Sequence, residues 1–169
     1  VGSAYQQIYR YHSPLMRFIT DLGAPMPKGY LATAELVINL NLRQAFEADE
    51  PDLESIMGLL EEAQLFHIEI DAETLEFALR QTMQRLATAF SQEPALLERL
   101  IRLASVVDLA KSLPFEVNLW TVQNICYSLL YRVYPEQKWL AQQGDPGSQA
   151  WLEQFLNLTS KLDLAIPAD

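Results

Sequence analysis

Glu116, Trp120, Gln123, Asn124, Tyr127, Tyr131 and Tyr134 follow one another mostly at spacings of three and four residues. Wound as an α-helix at 100° per residue, they gather on one arc of about 100°. The arc combines flat apolar rings with fixed hydrogen-bond donors and acceptors. Aromatic rings cover the C–H faces of a pyranose, and carboxamides and carboxylates take up its hydroxyls, so the arc suits a carbohydrate groove. The same pattern also describes a central helix packed on two sides, with each phenol reaching the rim to satisfy its hydroxyl. Both readings stand on the residues alone. On the same wheel Val122, Ile125, Cys126, Leu129, Leu130 and Val133 share a second arc, which is core.

Other chemistry is thin. Retaining glycoside hydrolysis needs two carboxylates at a set separation, and neither Glu61 with Glu62 nor the run Asp49, Glu50, Asp52 has the character of such a pair. The acidic segment 47–54 lacks the alternating ligands and central glycine of a calcium loop, and no metal site or cofactor is expected. His12 and His67 have no nucleophile or second ligand near them in sequence. Cys126 lies inside the apolar arc, where a thiol behaves as a small hydrophobe. Six scattered glycines form no phosphate loop. Glu35, Asn39 and Arg43 stand one turn apart and are expected to form a polar ladder.

The elements that must carry these residues are all helical, because apolar residues recur at three- and four-residue spacing and no segment alternates with period two. The first helix is expected over 4–22, with Ile8, Tyr11, Leu15, Phe18 and Leu22 on one face, Pro14 able to kink it and Gly23 ending it. A second opens near Pro27 and runs to about Phe46. Asp52 is read as the N-cap of a helix to Leu65, and Asp71 as that of a long helix to Phe90 with a stripe of Leu75, Leu79, Thr82 with Met83, Leu86 and Phe90. Pro94 starts a helix burying Leu96, Leu100, Leu103, Val107 and Ala110, which stops before Pro114. The arc-bearing helix is placed at 115–133, a short turn of helix at Pro135 to Trp139, and the last helix at 148–163 after Gly144-Asp145-Pro146-Gly147. The expectation is one all-α domain over 1–169, a bundle of about seven to eight helices.

With 169 residues, half of them apolar and a fifth charged, the chain is neither disordered nor collagen-like. A net charge of −10 repels phosphate backbones, so nucleic acid is not an expected partner. One cysteine makes no internal disulfide, which fits a reducing, cytoplasmic setting. No apolar run reaches membrane-spanning length, and no membrane partner is expected. The chain begins Val1-Gly2-Ser3, and a cut from a longer polypeptide is expected.

At Pro114-Phe115-Glu116-Val117-Asn118-Leu119-Trp120, continued by Gln123-Asn124, the sequence resembles a helical domain of unknown function found behind the catalytic barrel in bacterial glycoside hydrolase family 57 proteins. Met16-Arg17-Phe18, Leu22-Gly23, Pro27-Lys28, Val37-Ile38-Asn39, Leu42-Arg43-Gln44-Ala45 and Leu53-Glu54 through Leu59-Leu60-Glu61-Glu62-Ala63 resemble its opening helices, so about four fifths of the chain is covered. The resemblance implies a C-terminal accessory piece of a retaining enzyme acting on α-glucans. The catalytic carboxylates of such proteins lie on the barrel, which is not in this chain, so no catalytic residue is carried over and the fragment itself is not expected to be an enzyme. Its partners would be the catalytic barrel of the same polypeptide and α-glucan. Glu116, Trp120 and Asn124 are the first choices for facing the cleft or the barrel, with Gln123 and Tyr127 behind them. The alternative is a free-standing helical scaffold whose aromatic stripe receives an amphipathic helix from a separate protein.

Overall fold

The computed structural model describes residues 2–166; Val1, part of the start from which a cut was expected, lies outside them. Eight helices form among the described residues, with no strand: α1 (Gly2–Asp21), α2 (Lys28–Glu47), α3 (Leu53–Leu65), α4 (Ala72–Gln92), α5 (Leu97–Ser112), α6 (Trp120–Arg132), α7 (Tyr134–Gln142) and α8 (Pro146–Lys161). The all-α class read from the periodicity is what the structure shows. Within it the chain gathers into two compact units, the first ending at Ala78 and the second beginning at Leu79, both inside α4.

Helix ends follow local chemistry. Asp52 accepts the amide hydrogens of Glu54 at 3.1 Å and Ser55 at 3.4 Å, and Asp71 accepts that of Thr74 at 3.2 Å. These carboxylates satisfy first-turn donors that have no partner within the helix. Asp145 does the same for α8 through Ser148, at 2.7 Å. Four helices stop by one motif, in which the chain turns through a left-handed residue and the next amide reaches back to close the last turn. Gly23 fills that position after α1, as the sequence predicts, and Gly144 fills it after α7, which runs on to Gln142, three residues past the Trp139 end expected of it. After α3 and α8 it is filled by His67 (φ 53°) and Asp163 (φ 56°), with Ile68 bonded back to Ala63 at 2.8 Å and Leu164 to Thr159 at 3.0 Å.

In the first unit α2 packs on α1 and on α3. Its core includes Met16, Ile38, Leu42, Phe46, Ile56 and Leu75. Arg17 on α1 meets Glu62 on α3 at 2.7 Å. The Tyr9 hydroxyl is buried near that carboxylate, and burial first, then the Glu62 carboxylate as hydrogen-bond acceptor and as charge, pushes its pKa up.

The inward side of α1 corrects the sequence reading. It presents Tyr9 and Met16 to the core, whereas Ile8, Tyr11, Leu15, Phe18 and Leu22 are between 43 and 81% exposed. Pro14 lies inside a helix that continues past it.

The second unit places α8 against α5 and α7, and α6 against α7. Trp151 is fully buried and stacks on Phe155 with centroids 4.5 Å apart. Its indole N–H donates to the Pro94 carbonyl at 2.7 Å, which removes the cost of burying that donor. Leu96, expected in the core, is exposed instead. It precedes the first turn of α5, so the apolar stripe begins with Leu100.

Candidate functional site

Helix α6 starts at Trp120, five residues later than the sequence pattern implies. The side-chain oxygen of Asn118 accepts the Trp120 amide hydrogen at 2.9 Å, and the Leu119 carbonyl takes the first helical bond, from Gln123, at 2.9 Å. An Asn side chain that bonds the backbone two residues on favours a turn over continued helix. Residues 113–119 are therefore irregular, and Glu116 is not part of the α6 face. It is exposed and lines an open pocket of about 470 Å³ with Lys111, Phe115 and Leu119.

The buried side of α6 is Val122, Cys126, Leu129 and Leu130. Burial pushes the Cys126 thiol up to about 12, so it is a packing group rather than a nucleophile. The outward side carries Trp120, Asn124, Tyr127 and Tyr131 at spacings of four, three and four residues. The three rings are 51 to 68% exposed and Asn124 is exposed with them. The Tyr127 and Tyr131 rings meet edge to face, with centroids 5.1 Å apart and an angle of 63°, and their hydroxyls lie 3.3 Å apart. That hydrogen bond, then the charge the partner would carry, raises the Tyr131 pKa. Two phenols are thus held in a fixed relation on an exposed face.

Two members of the predicted arc leave it. Gln123 is half-buried, and its Nε2 donates to the Leu162 carbonyl at 3.1 Å, where it ties α6 to the end of α8. Tyr134 falls in α7, is buried, and has its ring 6.4 Å from that of Phe155. The helix breaks at Val133, so the register that placed Tyr134 with Tyr131 does not persist. Trp139 on α7 is a further exposed ring, which the sequence reading used only as a helix end.

The remaining candidates are accounted for locally. The His12 ring lies 5.0 Å from that of Tyr30, with Nδ1 3.5 Å from the phenol oxygen. His67 forms the turn after α3. The expected ladder does not form between the three side chains: Arg43 pairs with Glu47 at 2.8 Å, and Asn39, which donates to the Glu35 carbonyl at 3.0 Å, also bonds the segment before α4. Among the described residues no three His, Cys, Asp or Glu side chains stand close enough to hold a metal ion, and no helix is long and apolar enough to cross a membrane.

What the fold and this face define is an all-α module that displays an exposed row of rings and an amide. Comparison with protein-family models, with curated proteins and with solved structures gave no match.

Proposed function

We propose that this chain is a non-catalytic, all-α accessory module of a family 57 type glycoside hydrolase, with its α6 face turned to the catalytic barrel of the same polypeptide and to the α-glucan bound there. The observation that carries this reading is the outward row Trp120, Asn124, Tyr127 and Tyr131. Rings left this exposed contribute little to the stability of the module itself, whereas a pyranose laid on Trp120 would recover their apolar area and leave the Asn124 amide to meet its hydroxyls. The resemblance of residues 114–124 to the helical domain behind such barrels supports the same assignment. Glu116, placed on the lip of the neighbouring pocket, would act from a separate position in the irregular segment.

The reading is tested by titrating α-glucan oligomers into the chain and into Trp120→Ala while heat is measured. Binding by the parent chain, weakened about tenfold or more in the variant, a difference of about 1.4 kcal/mol, supports it. Absence of binding removes the sugar contact and leaves barrel docking, which is tested by comparing the glucan turnover of the full polypeptide with and without this module. An unaffected barrel contradicts that as well.

The alternative we propose is a free-standing helical scaffold whose aromatic stripe, the exposed Trp120, Tyr127 and Tyr131 of α6, receives an amphipathic helix from a separate protein.

A further inference from the structure

We infer that α1 is the seam of a homodimer, in which two copies of this chain pair antiparallel about a twofold axis passing beside Leu15. The inference does not depend on the glycosidase assignment.

Ile8, Tyr11, Leu15, Phe18 and Leu22 recur at alternating spacings of three and four residues, the repeat that brings one helix against another along a continuous seam. The core contacts of α1 are made by the adjoining side, through Tyr9 and Met16, so the five-residue row is left outward. No charged residue interrupts the row.

The row reads nearly the same in both directions from Leu15. Ile8 and Leu22 lie seven residues to either side, and Tyr11 and Phe18 lie four and three. An antiparallel copy would therefore set Leu15 on its own equivalent, Ile8 against Leu22 and Tyr11 against Phe18, the self-complementary arrangement that a twofold interface requires. The charges agree. Arg10 and Asp21 are both exposed and share one flank of the row, on opposite sides of Leu15 at distances of five and six residues. Antiparallel pairing brings Arg10 opposite the partner's Asp21, twice per dimer, whereas parallel pairing sets like residues at the same height.

The area reaches the threshold. Taking roughly 150–250 Å² for a large side chain in the open, the observed exposures leave on the order of 600 Å² on this row, and full coverage in a pair removes at most about 1,200 Å², the lower bound for a specific interface.

Sedimentation equilibrium of the intact chain is the test. The expected result is a reversible dimer of the 19.2 kDa chain. Leu15→Glu, a change at an outward position that circular dichroism should show to be folded, is expected to weaken dimerisation about 30-fold or more. Arg10→Glu should weaken it and Arg10→Glu with Asp21→Arg should restore it. Leu15→Cys should cross-link to itself on mild oxidation, with the buried Cys126 left in place. A chain that stays monomeric at about 0.1 mM overturns the inference. So does a dimer that Leu15→Glu leaves intact, or one in which Leu15→Cys fails to cross-link.

Discussion

Asn39 accepts the amide hydrogen of Asp71 at 2.8 Å across 32 residues of chain, and its Nδ2 donates to the Glu69 carbonyl at 3.0 Å. One carboxamide thus holds both faces of the segment that leads into α4, and Asp71, so positioned, caps that helix. Asn39→Ala removes a donor and an acceptor together and is expected to destabilise the fold by about 1–3 kcal/mol in urea denaturation. A loss below about 0.5 kcal/mol, the size of an ordinary surface substitution, would show that water replaces both bonds without cost.

His67 and Asp163 occupy left-handed backbone where glycine is the favoured residue. A side chain there costs roughly 1–2 kcal/mol, part of which a glycine returns through the greater freedom of the unfolded chain. His67→Gly and Asp163→Gly are each expected to stabilise by about 0.5–1 kcal/mol. Asp163 also lies 3.8 Å from Lys111, but an exposed pair at that distance contributes little. A lower melting temperature in both variants would contradict the account of these helix ends.

The Ser148 side chain first, and its backbone amide next, hold the Asp145 carboxyl below the usual value of 3.8, and Thr74 acts on Asp71 in the same way. A depressed folded pKa means that the unfolded chain takes up protons first as pH falls. The stabilising contribution is therefore complete above about pH 4 and is lost as the pH drops through the lower folded values. Melting temperature measured from pH 6 down to pH 2 should fall more steeply for the parent chain than for Asp145→Asn, which keeps a capping oxygen but has no proton to bind. Parallel curves would count against this capping bond.

With its pKa pushed up to about 12, Cys126 presents on the order of one thiolate in ten thousand at pH 8. A disulfide reagent at that pH should leave the native chain unmodified for hours and react at once in denaturant. Rapid modification of folded protein would place the thiol outside the core of α6.

Element types were legible in the sequence wherever a stripe and a cap agreed. Asp52, Asp71, Gly23 and Gly144 each mark a boundary within a residue or two, because each satisfies or frees backbone groups locally. The start of α6 was not, because Phe115, Glu116 and Leu119 are compatible with a helical stripe and only the Asn118 side chain bonding the Trp120 amide reveals the turn. Four of the seven residues in the predicted recognition arc, Trp120, Asn124, Tyr127 and Tyr131, share the outward face of α6. Glu116, Gln123 and Tyr134 do not, since their places depend on where the helix begins, what α8 presents and where the helix breaks. The orientation of α1 was illegible for a different reason. A sequence stripe shows that a helix has an apolar side, not whether the neighbouring helices meet that side or another, and here Tyr9 and Met16 took the core.

The most direct measurement of the central claim is the set of three indole N–H signals in a proton–nitrogen NMR spectrum, recorded while an α-glucan oligomer is added. Trp120 should shift progressively to saturation. Trp151, buried and bonded to the Pro94 carbonyl, should stay in place. A titration that leaves Trp120 unmoved, or that moves Trp139 alone, would contradict a carbohydrate-facing role for the outward row of α6.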